Sequence, residues 1–472
     1  MNLQFYCCKM PAGLIFSVSV FLFSSTFIQS NPSPIYFLDK RGDILLEGPD
    51  IPENGSVVWE WKPHSGREVQ QLLTLNQDYW GSWRAEWSDH FNSYLQKKVM
   101  WDYGTLDLKI RRPTFKLAGL FILTQTEPIN KTLKEYEIFG IKVESSPRQP
   151  VVGSDVTVSC SISKISDSVQ LHWKQMESSQ QNRRNTDQIQ LKNTIHLIIK
   201  HVTVEDKEMY TCEVWGNGSI IHTRPTDFTV SSYLNLKSYQ LYRPASDHSE
   251  LLLICFHFYN IIYFDHAVWT WISSHLKGQE KQIASVSRFM PINVNRSRFV
   301  NRLVPTLGHF NGLDFSARIA PVLFEDAGIY SCTLGSDKYV TIKLITVKVT
   351  SDPSEGDNIT LTCSVSDVIK SMRLVWINSE GKTVEEKVLK DEVPEEKSLQ
   401  LIIQQSDKDR RNWTCGLFQK NIPKHLILFR KVYNDSTFKH TNIIIIGCLA
   451  LLFIFMLPVV LYLRKCKISD FA

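Results

Sequence analysis

The sequence predicts an all-β chain of four tandem β-sandwiches followed by one transmembrane α-helix. Three observations predict it. Cys160 and Cys212 are 52 residues apart, and so are Cys363 and Cys415; a tryptophan, Trp173 or Trp376, follows the first cysteine of each pair at the same distance. Between these pairs lies a longer one, Cys255 to Cys332, 77 apart, enclosing Trp269 and Trp271. Residues Ile443–Leu463 are apolar and uncharged.

The first 30 residues read as a secretory signal: Lys9, an apolar run from Leu14 to Phe23, then small residues. An uncleaved signal anchor is the other reading of this segment. At about 1.5 Å per residue Ile443–Leu463 spans a hydrocarbon core of ~30 Å. Arg464, Lys465 and Lys467 follow it, which places the C-terminus in the cytoplasm. The chain therefore reads as type I and single-pass, at the plasma membrane with its ectodomain outside. Of ten cysteines, Cys7 and Cys8 fall in the signal, Cys448 in the membrane and Cys466 in the tail. The remaining six match the three frames, as a disulfide-permissive compartment allows. Seven sequons, Asn54, Asn130, Asn217, Asn295, Asn358, Asn412 and Asn434, fit the same compartment.

The 472 residues exceed one domain, and their +5 net charge is too small to imply nucleic acid. The short frames align. Val156–Ser163 lies over Ile359–Ser366, Ser168–Trp173 over Ser371–Trp376, and Ile195–Ile199 over Leu399–Ile403, mostly with the alternation of half-buried strands. The region before the first frame lacks ectodomain cysteines, yet Trp59-Glu-Trp61 mirrors Trp269-Thr-Trp271. Leu117-Ala-Gly119-Leu-Phe121-Ile-Leu123 mirrors the run from Asp326 to Cys332, with Phe121 at Tyr330 and Leu123 at Cys332. Leu46 and Leu123 then replace the missing disulfide, with Leu45 as the alternative register. The plan is long, short, long, short. The last strand of each long domain runs on into the next domain, making each pair stiff, and a bend is expected near Ser231–Ser238.

These motifs resemble the immunoglobulin superfamily. Asp326-Ala-Gly-Ile-Tyr330-Ser-Cys332 is its strand F signature, in which Tyr330 bonds backbone, and Arg302 is expected to bridge Asp326. The resemblance implies V-like domains at 31–145 (without a disulfide) and 233–350. It implies C2-like domains at 146–232 and 351–434, a stalk at 435–442, the membrane helix at 443–463 and a tail at 464–472. The alternation is similar to the helper T-cell co-receptor and its lymphocyte-activation relative. Val268–Cys415 also resembles fish membrane proteins of the G6f-like type. The co-receptor's tail pairs two cysteines to hold a kinase through zinc, whereas Lys465-Cys466-Lys467 has one.

The candidate ligand residues are Trp80, Trp83, Arg84 and Trp87, in the cluster Tyr79–Trp87. Exposed Trp and Arg are typical interface anchors; the other reading is that two of the three tryptophans pack onto a domain without a disulfide. Cys466 is a candidate for palmitoylation, or a plain thiol. No catalytic motif is present, no cofactor or metal is implied, and His64 and His90 are expected in solvent. The partner is an extracellular protein ligand on another cell, bound by an immune-cell receptor or co-receptor. The alternatives are a homophilic adhesion molecule and a ligand or decoy for another receptor.

Overall fold

The computed structural model describes residues 35–430 except 39–41, 51–54, 67, 90–94, 96, 167–168, 177–185, 208, 235–236, 258–262, 276–277, 296–298, 300, 354–357, 391–393 and 404–411. The signal segment, Asn54, His90, Asn434, Ile443–Leu463 and Cys466 lie outside the described residues. Among the described residues no helix is long and apolar enough to cross a membrane. The described chain is built of sheets that are mostly antiparallel, Lys237–Pro244 pairing parallel with Val340–Val347, and it forms two compact units, one mainly of Gly42–Ile138 and the other mainly of the chain from Phe139.

The first sandwich comprises β1 (Ile35–Leu38), β2 (Asp43–Leu46), β3 (Ser56–Pro63), β4 (Gln70–Gln77), β5 (Trp83–Trp87), β6 (Val99–Trp101), β7 (Leu108–Arg111), β8 (Gly119–Glu127) and β9 (Lys131–Ser146). Sheet β2-β7-β6 faces sheet β9-β8-β3-β4-β5. In β3 Val57, Trp59 and Trp61 turn inward while their neighbours turn out, the period of two of a half-buried strand. Leu46 and Leu123 are fully buried and Leu45 is exposed, which settles the register. Trp59 pairs with Leu123 in the ladder, as Trp173 pairs with Cys212, Trp269 with Cys332 and Trp376 with Cys415. Each of these four tryptophans donates its indole N–H to the carbonyl of a residue across the core: Leu106, Ile195, Phe315 and Leu399 at 2.9, 3.3, 2.7 and 3.2 Å. The Ala-Gly of the strand F motif has a steric cause. A Cβ on Gly119 would overlap the Lys62 carbonyl, and one on Gly328 the Ile272 carbonyl.

The second sandwich adds β10 (Val156–Ile162), β11 (Val169–Gln175), β12 (Thr186–Leu191), β13 (Thr194–Ile199), β14 (Tyr210–Gly216) and β15 (Ser219–Pro225). The third adds β16 (Lys237–Pro244), β17 (Leu251–Leu253), β18 (His266–Ser273), β19 (Lys281–Ser287), β20 (Asn293–Val294), β21 (Leu303–Pro305), β22 (Ala317–Ile319), β23 (Gly328–Leu334) and β24 (Asp337–Pro353). The fourth adds β25 (Ile359–Val365), β26 (Met372–Ile377), β27 (Thr383–Val388), β28 (Ser398–Ile403), β29 (Asn412–Gln419) and β30 (Ile422–Arg430). Strands β9 and β24 are the long ones that the sequence predicts. Strand β9 pairs with β8 and then β10; β24 pairs with β23 and then β25. Disulfides join Cys160–Cys212, Cys255–Cys332 and Cys363–Cys415, with Cα atoms 6.3, 6.3 and 6.4 Å apart. In the third sandwich Arg302 grips Asp326 through Nη1 and Nη2 at 2.5 and 3.0 Å, and the Tyr330 hydroxyl donates to the Asp326 carbonyl at 2.6 Å.

The two short sandwiches differ from the shared layout that their alignment implies. Strand β12 pairs with β13, giving the constant-type sheets β9-β10-β13-β12 and β11-β14-β15. Its counterpart β27 pairs instead with β26. A second difference follows on the outer faces. In β13 every residue from Ile195 to Ile199 is buried, His196 and Ile198 included, whereas Gln400 and Ile402 on β28 face water. In β26 Val375 and Ile377 are buried, whereas His172 and Lys174 on β11 are exposed. The two covered faces meet: Ile189, Val375, Ile377 and Phe418 form one apolar cluster, and Thr157 Oγ1 donates to the Pro423 carbonyl at 2.7 Å. The second sandwich thus folds back onto the fourth, which localises the predicted bend between the pairs.

A candidate protein-binding end of the first sandwich

Four connections of the first sandwich converge at one end. The Gln77 N–H donates to the Gly55 carbonyl at 3.2 Å, which joins the β4–β5 turn to the β2–β3 loop. The Gly48 N–H donates to Asp107 Oδ1 at 2.7 Å, which adds the β6–β7 turn. Thr126 Oγ1 donates to the Ser56 carbonyl at 3.1 Å, which adds the β8–β9 turn. In variable-type sandwiches this end carries the recognition loops.

The β4–β5 turn is held from within. Asp78 Oδ1 accepts from the N–H groups of Trp80 and Ser82 at 3.0 and 2.9 Å, its Oδ2 accepts from Arg84 Nε at 3.2 Å, and Gln77 Nε2 donates to the Gly81 carbonyl at 2.9 Å. Gly81 takes φ +77°, a conformation open to glycine without strain. The Ser82 N–H, ahead of those of Trp80 and Arg84, holds the Asp78 carboxyl below its ordinary range. On this turn Tyr79 and Trp80 stand 94% and 84% exposed, edge to face at 5.6 Å. The β6–β7 turn repeats the arrangement. The Trp101 indole donates to the Thr105 carbonyl at 2.8 Å, Gly104 takes φ +82°, and Tyr103 is 80% exposed beside Trp101. Ile129 on the β8–β9 turn is 70% exposed.

The four predicted ligand residues separate. Trp80 and Arg84 project into water. Trp83 is 8% exposed and does not: it starts β5, and its ring lies where a Cβ on Gly55 would touch it, under the loop end. Trp87 lies at the other end of β5, about 13 Å along the strand at ~3.3 Å per residue. Trp83 is therefore corrected from a contact residue to a supporting one. Tyr103 and Ile129 were not among the expected residues; the signal for Tyr103 was Asp102-Tyr103-Gly104, an aromatic at a turn tip. His64, expected in solvent, is half-buried, its side chain 7% exposed with Nε2 3.5 Å from Glu137. Of the sequons, Asn130, Asn217, Asn295 and Asn412 are exposed and Asn358 is half-buried. Among the described residues no group of His, Cys, Asp and Glu could hold a metal ion.

Residues 141–215 match the immunoglobulin domain family. Domains 3 and 4 of rat CD4 align with 41% of this chain and 100% of their own, at 18% identity and a TM-score of 0.31. The extracellular portion of mouse CD200RLa aligns with 43% of this chain and 100% of its own, at 12% identity and a TM-score of 0.24. The CD2-binding domain of CD58 aligns with 42% of this chain and 98% of its own, at 14% identity and a TM-score of 0.21. No curated protein matches the chain. At these identities and scores no ligand follows from the likenesses.

Proposed function

We propose that the chain is a type I single-pass cell-surface glycoprotein that binds a protein ligand through the loop end of its first sandwich, as an immune-cell receptor or co-receptor. The observation that carries this reading is the pair Tyr79 and Trp80, held in water by a turn whose own hydrogen bonds fix it. Rigid exposed aromatics bring large contact area at low ordering cost, and such residues dominate interface energetics. The immunoglobulin match at 141–215, the disulfides and the signal and apolar segments of the sequence support an extracellular setting. Asn130 adjoins Ile129, so a glycan there would border the contact.

The test displays the full chain on cells and measures binding of leukocytes and antigen-presenting cells. Tyr79→Ala with Trp80→Ala should weaken binding at least about 30-fold, the loss of one hot spot of roughly 2 kcal/mol. Cell-surface levels should hold, because neither side chain packs in the core. Unchanged binding by the double variant would overturn the proposed surface. Aggregation of the displaying cells with one another alone would favour homophilic adhesion.

A further inference from the structure

Where the second, third and fourth sandwiches meet, three histidines are buried among fixed charges. His201 follows β13, and Arg243 Nη2 lies 2.9 Å from its Nε2 and 3.3 Å from its Nδ1. Its Nδ1 is also 3.4 Å from the Gly153 carbonyl. Arg243, on β16, reaches Asp155 through both terminal nitrogens at 2.6 and 3.0 Å and also donates to the Tyr242 carbonyl at 2.7 Å. His425, on β30, is 1% exposed, and neither of its ring nitrogens has a hydrogen-bond partner. It faces Lys200 from the end of β13, Arg243 from β16 and Asp155 from the turn before β10. Its neighbour Lys424 donates to Ser146 Oγ at 3.3 Å. His196 lies on the covered face of β13 with Nδ1 2.8 Å from Ser159 Oγ. It lines a cleft with Arg148, Arg373 and Glu386. Lys200 is engaged by Asp187 at 2.7 Å and Arg373 by Glu386 at 2.7 Å. The phenols of Tyr239 and Tyr242 also lie in the field of Asp155.

We propose that the contact of the second sandwich with the third and fourth is a clasp that acid opens: the chain is folded back at neutral pH and extends in an acidified compartment. The closed form admits only neutral imidazoles. A second proton on His201 would set an imidazolium against the Arg243 guanidinium, 2.9 Å from its ring. A proton on His425 would stand without an acceptor beside Lys200 and Arg243, with Asp155 already engaged. Burial lowers His201 to about 3, with Arg243 adding to it, and burial lowers His196 to about 4. Burial and then Lys200 and Arg243 hold His425 well below its ordinary value. Burial alone would raise Asp155, but Arg243 more than reverses this, so Asp155 stays ionised through the same range.

The direction follows. A released histidine titrates near 6.5. Above that pH neither form binds the proton, and the clasp keeps its full stability. As pH falls below 6.5 the open form takes up protons that the closed form refuses, and the clasp weakens until the closed-state values are reached. For each histidine set free, the ratio of open to closed rises about 30-fold between pH 7.4 and 5.0. The apolar contact that must yield is Ile189, Val375, Ile377 and Phe418, with Leu191 and Leu426 packed against them.

The test takes the full-length chain in detergent with a donor fluorophore at Lys192 and an acceptor at Glu380, two exposed positions on the rim of the cleft between the two sandwiches. Energy transfer should be high at pH 7.4, fall by pH 5.0, recover on neutralisation, and fall more steeply than one proton allows. Val375→Asp places a charge in the apolar contact and should give low transfer at both pH values. His425→Leu with His196→Gln should keep the closed form and move the midpoint to lower pH. Transfer that stays high at pH 5.0 while Val375→Asp lowers it would overturn the proposal. So would full transfer in Val375→Asp, or an unshifted midpoint in the histidine variant.

Discussion

Asp155→Ala is expected to destabilise the unit that contains it by about 3–5 kcal/mol, because it leaves the Arg243 guanidinium buried and uncompensated. The side chains of Arg243 and Asp155 are 3% and 8% exposed, so water cannot replace the lost carboxylate without opening the junction. Asp155 also accepts the His201 N–H at 3.2 Å, and that donor would be stranded as well. Asp155→Ala combined with Arg243→Met should recover most of the loss, since removing both members of a buried pair is often neutral. Urea unfolding of the purified chain, followed by circular dichroism, measures both. A loss below about 1 kcal/mol in the single variant would mean that the pair is hydrated in solution.

Leu123→Ala is expected to cost about 2–5 kcal/mol, localised to the first sandwich. Leu123 is fully buried and pairs with Trp59, the position that a disulfide cysteine holds in the other three sandwiches. Leu46→Cys with Leu123→Cys should then form a disulfide, seen as the loss of two hydrogens in the intact mass. The closed loop would restrict the unfolded chain by about 4 kcal/mol in the entropic account and offset the lost leucine burial. A reduced pair, together with a Leu123→Ala loss under 1 kcal/mol, would show that another residue holds the place of the disulfide.

Much of the fold is legible in the residues because the signals are local or periodic. The burial pattern of β3 repeats the alternation of Ser56–Pro63, and the matching tryptophan positions place four equivalent cores. The candidate binding end was only partly legible. Trp80 and Trp83 are three residues apart and chemically alike, yet one stands in water and one under the loops. A hairpin tip has no period, so nothing in Tyr79–Trp87 says which ring turns inward. What decides it is the pairing of Gln77 with Trp83, which ends the turn and starts the strand.

The amino-acid order by itself determined the all-β plan and the cysteine–tryptophan frames Cys160–Cys212, Cys255–Cys332 and Cys363–Cys415 behind the tandem sandwiches, which rest on alternation and repeated spacing; the Arg302–Asp326 grip followed from the resemblance to the immunoglobulin superfamily. Only the tertiary structure decided that β12 joins β13 while β27 joins β26, that Trp83 supports the loop end, and that His425 is buried beside Arg243. A hint lay in the aligned strands, where His172 stands against Val375, but an apolar residue on an outer face has no meaning until its cover is known. That cover is the opposite face of a sandwich two domains away in the chain. Its arrival depends on how the chain bends between the pairs, which no strand pattern encodes.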